Sequence, residues 1–342
     1  MRRKGSFRLG ILAAILLFAS VFYYLPFYVS KPGMAKELGP IIEVEGGYEE
    51  EGTFMLTTVR MGRANIYSYL TAKISKYQEI FPLEAIRAEN ESDEDYTKRQ
   101  LHMMDSSKIN AIEVAYKKAG LPIQYQFNGI YVLQVVPGMP AEGKLFTGDR
   151  ILDIDGKDFR SSTEFIEYVS SKKAGEEVTL AVERQKKEEK VVLALQQFDQ
   201  SSDRAGIGIV PVDDKDIEVD PDVNVKTDEI GGPSAGLMFS LEIYNQLVEE
   251  DLTQGHAIAG TGTIASDGIV GRIGGIEQKV VAADKAGADI FFAPNEKGAK
   301  DSNYQAAMRT AEDINSKMEI VPVDTFDDAV DYLENLSKKQ AG

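Results

Sequence analysis

Apolar positions recur at regular intervals in the last third of the chain and predict alternating strands and helices. Residues 288–293 and 319–323 are short apolar runs, as expected of buried strands. In residues 302–314 and 326–336 the apolar side chains recur every three or four positions, which is the spacing of one helix face. The connections between these segments are short. We therefore expect an α/β fold in this part of the chain.

The pattern between residues 41 and 120 is also mixed. It predicts a strand at 53–59 and helices at 66–80 and 107–118. Residues 89–95 read Glu-Asn-Glu-Ser-Asp-Glu-Asp and contain no apolar side chain. We expect this acidic stretch to be a solvated connection.

An uncharged apolar run extends from Leu9 to Val29. Its length is close to the ~20 residues with which a helix crosses a bilayer. The basic residues Arg2, Arg3, Lys4 and Arg8 precede it, against Lys31 and Lys36 after it, which favours a cytoplasmic N-terminus. A cleaved signal peptide is the alternative, although bulky aromatic residues occupy the region of its cleavage site. We expect residues 1–30 to form a cytoplasmic tip and a single-pass anchor in the cell membrane, with the rest of the protein outside the cytoplasm.

Small residues surround one serine in the run Gly-Gly-Pro-Ser-Ala-Gly at 231–236. They expose a hydroxyl that ordinary packing would cover, and Pro233 suits the first turn of the helix predicted after it. At a helix N-terminus, unpaired backbone N–H groups and the helix dipole can hold a developing oxyanion. Ser234 is therefore a candidate nucleophile. The alternative is a glycine-rich turn that is capped by a serine.

A serine nucleophile needs a base, and this chain offers few. It has no cysteine, and its only histidines are His102 and His256. A lysine can serve if burial lowers its pKa enough to populate the neutral amine. Residues 274–287 predict a helix closed by glycine, with Lys279 in its apolar stripe and Lys285 near its exposed end. Lys279 is the candidate base, and the alternative is a side chain that turns outward to solvent.

These two segments resemble the motifs of Lon-type serine proteases, which use a Ser-Lys dyad. The run Gly-Pro-Ser-Ala-Gly at 232–236 resembles the nucleophile motif, and Gly-Gly-Ile-Glu-Gln-Lys at 274–279 resembles the lysine motif. The threonine of Ala-Gly-Thr-Gly at 259–262 matches the one that orients the lysine. The resemblance implies that the catalytic residues are Ser234 and Lys279, supported by Thr261, Gly232 and Pro233.

The resemblance runs from about residue 217 to the C-terminus and, less specifically, includes a helix at 103–118. It implies an α/β (α+β) Lon-type proteolytic domain at 205–338, with residues 41–120 as its N-terminal part. It also implies assembly into a hexameric ring. One position departs from the pattern, because the aspartate that these proteases commonly carry three residues before the serine is Gly231 here.

Residues 126–196 have the pattern of a separate small domain. A strand at 129–136 and a Pro-Gly turn precede the run Gly-Asp-Arg-Ile-Leu-Asp-Ile-Asp-Gly at 148–156, and a helix at 162–170 and a hairpin at 178–195 follow. This order resembles a PDZ domain, a small β-barrel with helices. Because Lon-like segments lie on both sides of it, we expect the PDZ domain to be inserted within the protease fold.

The PDZ resemblance implies that a peptide adds as a strand beside the first strand, with its carboxylate at the preceding loop. The peptide-binding residues would then be Phe127, Asn128, Gly129 and Ile130. The alternative is a PDZ fold that is kept for spacing or assembly and binds no peptide.

Composition limits the partners. A net charge of −17 argues against nucleic acid, since a phosphate-binding surface needs clustered Lys and Arg. The chain has no G-x-x-x-x-G-K-[ST] run for nucleotide phosphates, so we expect it to work without ATP and without a cofactor. Without cysteine, disulfides and thiolate metal sites are excluded. The expected substrates are proteins or peptides in unfolded or membrane-proximal segments.

These observations together predict a membrane-anchored, ATP-independent serine endopeptidase. Two other classes stay open. The first is a catalytically idle scaffold that tethers a partner at the membrane. The second is an esterase, because residues 232–236 also satisfy G-x-S-x-G. An esterase of that type needs an acid and then a histidine downstream, and the only downstream histidine is His256, after Asp251.

Overall fold

The computed structural model describes Ile11, Phe18 and residues 20–87, 91–198, 205–227 and 230–339. The chain forms two compact units. The described residues of Met1–Pro40, Tyr48–Ala88 and Ser234–Gly342 form unit 1, and those of Ile41–Gly47 and Glu89–Pro233 form unit 2. Unit 1 therefore combines segments from both ends of the chain.

The described residues contain seventeen strands and eight α-helices. The strands are β1 (Tyr24–Glu37), β2 (Ile42–Val44), β3 (Thr53–Asn65), β4 (Glu79–Pro82), β5 (Ile123–Val135), β6 (Arg150–Ile154), β7 (Glu177–Arg184), β8 (Lys187–Ala194), β9 (Gln196–Gln197), β10 (Ala205–Gly206), β11 (Ile209–Val219), β12 (Val223–Val225), β13 (Ala257–Gly260), β14 (Thr263–Ile264), β15 (Val270–Gly271), β16 (Ile290–Pro294) and β17 (Glu319–Val323). The helices are α1 (Ile66–Ile74), α2 (Leu83–Ile86), α3 (Asp93–Lys118), α4 (Ser162–Ser170), α5 (Gly236–Leu247), α6 (Ile276–Ala286), α7 (Asn303–Asp313) and α8 (Phe326–Glu334).

Unit 1 is organised around a mixed six-stranded sheet with the order β17-β16-β13-β3-β1-β4. The strands β3, β13, β16 and β17 run parallel to one another, and β1 is antiparallel to β3 and β4. Strand β3 lies in the middle, where it pairs with β13 on one side and β1 on the other. The N-terminal strands thus complete a sheet whose other half comes from the C-terminal part of the chain.

Helices cover both faces of this sheet. On one face, Phe291 of β16 packs with Val280 of α6, Ala307 of α7 and Met55 of β3 in a single buried cluster. On the other face, the ring of Phe292 contacts Tyr332 of α8. Neighbouring residues of β16 point to opposite faces, and all five residues of this strand are buried, as expected of a parallel strand between two helical layers.

Unit 2 contains a five-stranded antiparallel sheet with the order β11-β5-β6-β7-β8. Its buried core includes Ile130, Leu180 and Phe165, which come from β5, β7 and α4. The helix and the hairpin that the sequence predicts after residue 160 correspond to α4 and the pair β7–β8.

The acidic stretch at 89–95 is only partly a connection, which corrects the sequence-based expectation. Ser92 caps α3 by accepting a hydrogen bond from the backbone N–H of Asp95, and Asp93, Glu94 and Asp95 form the first helical turn. Negative charge in a first turn is stabilised by the positive end of the helix dipole. A run without apolar residues can therefore begin a helix when its neighbours downstream supply the packing.

The predicted transmembrane span, Leu9 to Val29, extends into residues that form strand β1. Most of residues 1–19 lie outside the described part, but Tyr24 to Val29 belong to β1, and the Tyr28 and Val29 side chains are buried. These side chains are apolar because they pack in unit 1. No helix within the described ranges is both long and apolar enough to span a bilayer.

The compact units cut across the predicted domain limits. Residues 41–47, 91–118 and 205–233 lie in unit 2, together with the segment 126–196. The limits predicted from the sequence, 41–120, 126–196 and 205–338, stay a prediction, since compactness alone does not define a folding domain.

The central position of β3 can be tested with two methionines on that strand. Met55 is buried in the core shared with α6 and β16, whereas Met61 is 39% exposed. We expect Met55→Ala to lower the free energy of unfolding by about 2–5 kcal/mol. Met61→Ala, the matched control, should change it by less than about 0.5 kcal/mol. Urea titration of both variants measures this, and equal effects would show that β3 is not part of the core.

Candidate active site

Ser234 lies in the turn that leads into α5, and its backbone is held firmly. Gly232, two residues earlier, has a φ of +86°, a conformation that favours glycine. The carbonyl oxygen of Ser234 accepts hydrogen bonds from the backbone N–H of Gly262 at 3.0 Å and from the Thr261 hydroxyl at 2.9 Å. The serine hydroxyl is half-buried, so it is fixed by its backbone and still reachable from outside.

Lys279 lies on the inner face of α6 and is only 2% exposed. Its Nζ atom is 2.8 Å from Ser234 Oγ, 2.9 Å from Thr261 Oγ1 and 3.0 Å from the carbonyl oxygen of Thr57. Burial lowers the pKa of this amine from its ordinary value to about 7. The structure therefore brings together Ser234, Thr261 and Lys279, which the sequence analysis singled out separately.

Thr57 contributes to the site, although the sequence analysis does not single it out. It lies on β3, is buried, and offers its carbonyl oxygen to Lys279 while its hydroxyl donates to the carbonyl of Gly260 at 3.0 Å. No side-chain motif marks such a residue, because its contact with the lysine is made by the backbone. Only the pairing of β3 with β13, about 200 residues away in sequence, brings it to the site.

The three contacts of Lys279 fit an ammonium that donates to all three oxygens, and they also fit a neutral amine. The Thr261 hydroxyl already gives its proton to the carbonyl of Ser234, and the carbonyl of Thr57 can only accept. Both oxygens must therefore receive a hydrogen from Lys279. A neutral amine has two hydrogens and one lone pair, so its lone pair is left for the hydroxyl of Ser234. The arrangement fits a neutral lysine that accepts the serine proton.

Gly231 occupies the position of the usual aspartate, and its surroundings leave little room for a side chain. A Cβ atom there would lie 3.1 Å from the Cβ of Gln100 on α3. The next residue, Gly232, donates its backbone N–H to the Gln100 carbonyl at 3.0 Å. Both contacts lie within unit 2. The loop is thus fixed against α3 without a carboxylate, and Pro233 completes it by accepting a hydrogen bond from Ser107 at 3.0 Å.

Neither histidine forms a triad with the serine. His256 contacts the Ser337 carbonyl at 3.0 Å and lies 3.7 Å from a carboxylate oxygen of Asp289. His102 stacks on the ring of Tyr131 in unit 2. The acid that precedes His256, Asp251, binds Thr253 instead. The requirements of the esterase alternative are therefore not met by these side chains.

The loop and strand expected to bind a peptide pair with β11 within the chain, and peptide binding by them stays a prediction. Strand β5 pairs with β6 at Ile130 and Tyr131, and along its other edge it pairs with β11 over its whole length. The predicted peptide-binding residues are part of this ladder: Phe127 faces Lys215, Gly129 faces Asp214, Ile130 faces Asp213, and the Asn128 side chain donates to Asp216 at 2.8 Å. Strand β11 therefore occupies one edge of β5 along this segment, and β6 occupies the other edge at Ile130.

Two families match parts of the chain. Residues 98–195 match the family described as "PDZ domain", and residues 174–335 match "Lon protease (S16) C-terminal proteolytic domain". The chain therefore has a mixed α/β fold that contains a PDZ segment and a Lon-type protease segment. The second segment includes Ser234, Thr261 and Lys279, whereas β1 and β3 lie outside both matches.

Similar proteins include the Lon protease of Malacoplasma penetrans, 34% identical over 118 residues, and the peroxisomal Lon protease homolog 2 of Caenorhabditis elegans, 30% identical over 166 residues. These stretches cover 34% and 48% of this chain, but only 14% and 20% of the two relatives. The crystal structure of the PDZ domain of the SdrC-like protein from Listeria monocytogenes is 39% identical, with a TM-score of 0.24, and the match covers 25% of this chain and 90% of that one.

The occupied edge of β5 predicts slow amide exchange. The amides of Ile130 and Tyr131 should exchange with deuterium slowly because β11 and β6 pair with them from both sides, and a saturating peptide should not slow them further. Strand β8 pairs only with β7 and serves as the control, since its outward amides should exchange quickly. Fast exchange at these amides that a peptide suppresses would show that an edge of β5 is open to a peptide strand.

Proposed function

We propose that the protein is a serine endopeptidase in which Ser234 is the nucleophile and Lys279 is the general base. One observation carries this proposal: the buried amine of Lys279 is 2.8 Å from the serine hydroxyl, while two acceptors, Thr261 Oγ1 and the Thr57 carbonyl, use its hydrogens. The match to a Lon-type proteolytic segment and the similarity to Lon proteases support it.

The reaction follows from these contacts. Neutral Lys279 takes the proton of Ser234 as Oγ attacks the carbonyl carbon of the scissile peptide bond. The oxygen of the tetrahedral intermediate develops negative charge near the N-terminus of α5, where the first backbone N–H groups have no helical partners. The protonated lysine then gives its proton to the leaving amine as the peptide C–N bond breaks, and an acyl-enzyme remains.

A water molecule completes the cycle. Lys279, neutral again, takes a proton from the water as its oxygen attacks the ester carbonyl, and the lysine returns this proton to Ser234 Oγ as the acid product leaves. Thr261 is a positioning residue in this scheme. Its hydroxyl links the amine of the lysine to the carbonyl of the serine, so that both reacting groups keep their relative positions.

We propose further that the enzyme works without ATP, on extended or unfolded segments of proteins. The absence of a phosphate-binding motif in the sequence supports this, because without an unfolding motor folded substrates would be out of reach. Assembly into a hexameric ring, implied by the Lon resemblance, is part of the same proposal.

Membrane attachment also belongs to the proposal. Four basic residues precede an apolar run, which favours an N-terminus inside the cell and a catalytic unit outside the cytoplasm. Because β1 begins at Tyr24, the uncharged run before it has about 15 residues, shorter than the ~20 that span a bilayer comfortably. A short attachment of this kind would keep unit 1 close to the membrane.

The dyad predicts a pattern of mutational effects. We expect Ser234→Ala and Lys279→Ala each to lower kcat for an unstructured peptide by about 10⁴-fold or more, because each removes half of the proton-transfer pair. The double variant should be no slower than either single variant. The control Lys285→Ala, at the exposed end of the same helix, should leave kcat unchanged. Substantial cleavage by Lys279→Ala would contradict the dyad.

The lowered pKa of Lys279 predicts the pH profile. The lysine is active as the neutral amine, so kcat/KM should rise with pH and level off above a midpoint of about 7. An ordinary lysine would give a midpoint near ~10.4. The measurement is kcat/KM for a small peptide across this range in buffers of constant ionic strength. A profile that is flat, or that still rises above pH 9, would count against a buried lysine base.

A further inference from the structure

Helix α1 presents an apolar face to solvent. Its exposed large side chains are Ile66, Tyr67, Leu70 and Ile74, and the last two are 57% and 88% exposed. At about 100° per residue these four lie within an arc of about 100°. The opposite side of the helix, with Tyr69 and Ala72, packs on Val29 and Ala64 of the sheet. The helix thus carries apolar side chains on both sides, and those on the outer side are exposed.

The residues just before β1 continue this apolar surface. Val21, Phe22 and Tyr23 are exposed, and so is Tyr24, the first residue of β1. They are tied to the start of α1, since the carbonyl of Val21 accepts a hydrogen bond from Asn65 at 3.1 Å. The hydroxyls of Ser20 and Tyr67 are 2.8 Å apart. The exposed face of α1 is therefore continuous with the end of the apolar N-terminal run.

Basic side chains are frequent in this segment of an acidic protein, although Lys76 is already paired with Asp313. Residues 57–76 contain Arg60, Arg63, Lys73 and Lys76 and no acidic residue, in a chain whose net charge is −17. Lys31 and Arg60 are direct partners across β1 and β3. Lys31 is two residues from Val29 and Arg60 is four residues from Ala64, so both lie on the face of the sheet that carries α1. Two like charges side by side destabilise a sheet unless an anion compensates them.

The rest of unit 1 lacks such a surface. Within residues 234–339, which the structure describes without a gap, Ile269 alone is an exposed large hydrophobic residue. The exposed apolar side chains of unit 1 are therefore concentrated in its N-terminal segments. This contrast argues that the face of α1 has a partner, because contiguous apolar surface with a polar rim marks an interaction site.

We propose that this α1 surface, formed by Ile66, Tyr67, Leu70 and Ile74 with Lys31, Arg60 and Lys73 at its rim, docks unit 1 onto an anionic lipid bilayer. The helix lies in the plane of the bilayer, with its apolar face among the upper acyl chains and the basic rim among the headgroups. Tyrosines with an apolar ring and a polar tip suit that depth. A second copy of the chain would explain the apolar face, but it would not require a basic rim continuous with an apolar N-terminal run.

The absence of native cysteine allows a direct test on the full-length chain. Single variants Leu70→Cys, Ile74→Cys and Ile269→Cys are labelled with an environment-sensitive fluorophore and reconstituted into vesicles that contain phosphatidylglycerol. Spin-labelled lipids in the vesicles act as quenchers. Ile269, 51% exposed in unit 1, is the matched control. All three positions are exposed, so the substitutions remove no core contact, and far-UV circular dichroism checks the fold.

The proposal expects blue-shifted emission at positions 70 and 74 and at least about twofold quenching there, because interfacial helices bury their apolar face ~5–10 Å below the headgroups. Position 269 should show neither effect. Quenching should be weaker in phosphatidylcholine alone and should weaken further in Lys31→Glu/Arg60→Glu. Water-like emission at positions 70 and 74 would overturn the proposal. A blue shift that already occurs in detergent, without quenching by lipid, would overturn it in favour of contact with a second copy.

Discussion

The candidate site of unit 1 depends on the burial of one amine. A charged lysine in a protein interior is costly, and here burial lowers the pKa of Lys279 until the neutral form is accessible near neutral pH. A neutral amine still needs partners for its two hydrogens and its lone pair. Thr57, Thr261 and Ser234 supply them from three separate segments, namely β3, the residue after β13 and the turn before α5. The order of strands in the sheet therefore packs the core and also brings the three partners to Lys279.

Local patterns in the sequence are sufficient for the elements that carry the site. Gly287, in a left-handed backbone conformation, ends α6 as expected from the sequence, and the apolar stripe of this helix correctly predicts that Lys279 faces inward. The small residues around Ser234 correctly predict a turn followed by a helix. In these cases the signal and the structure lie within a few residues of each other, so periodicity and turn chemistry can be read directly.

What the sequence could not show depends on pairing between distant strands. The edge of β5 looks open from its own alternation, since nothing in residues 123–135 reveals that residues 209–219 will pair with it. The same holds for the end of the apolar N-terminal run, where Tyr28 and Val29 are apolar because they pack in a sheet. Apolar character shows that a residue will be covered, but not by what. Thr57 could not be predicted for two reasons. It contacts Lys279 through its backbone carbonyl, and the pairing of the distant strands β3 and β13 places it at the site.

The segment that matches the Lon proteolytic domain begins at residue 174, yet the site and the α1 surface are both built on strand β3. Thr57 accepts a hydrogen bond from the amine of Lys279, and Arg60, three residues later, belongs to the proposed basic rim. At about 3.3 Å per residue these positions are about 10 Å apart along one strand. Since β13 and β1 flank this strand, it sets the distance between the site and the surface of a docked bilayer. Docking through α1 would then present Ser234 to chain segments that leave the membrane in an extended form, before they can fold. Such segments are the substrates that a protease without an unfolding motor can cut.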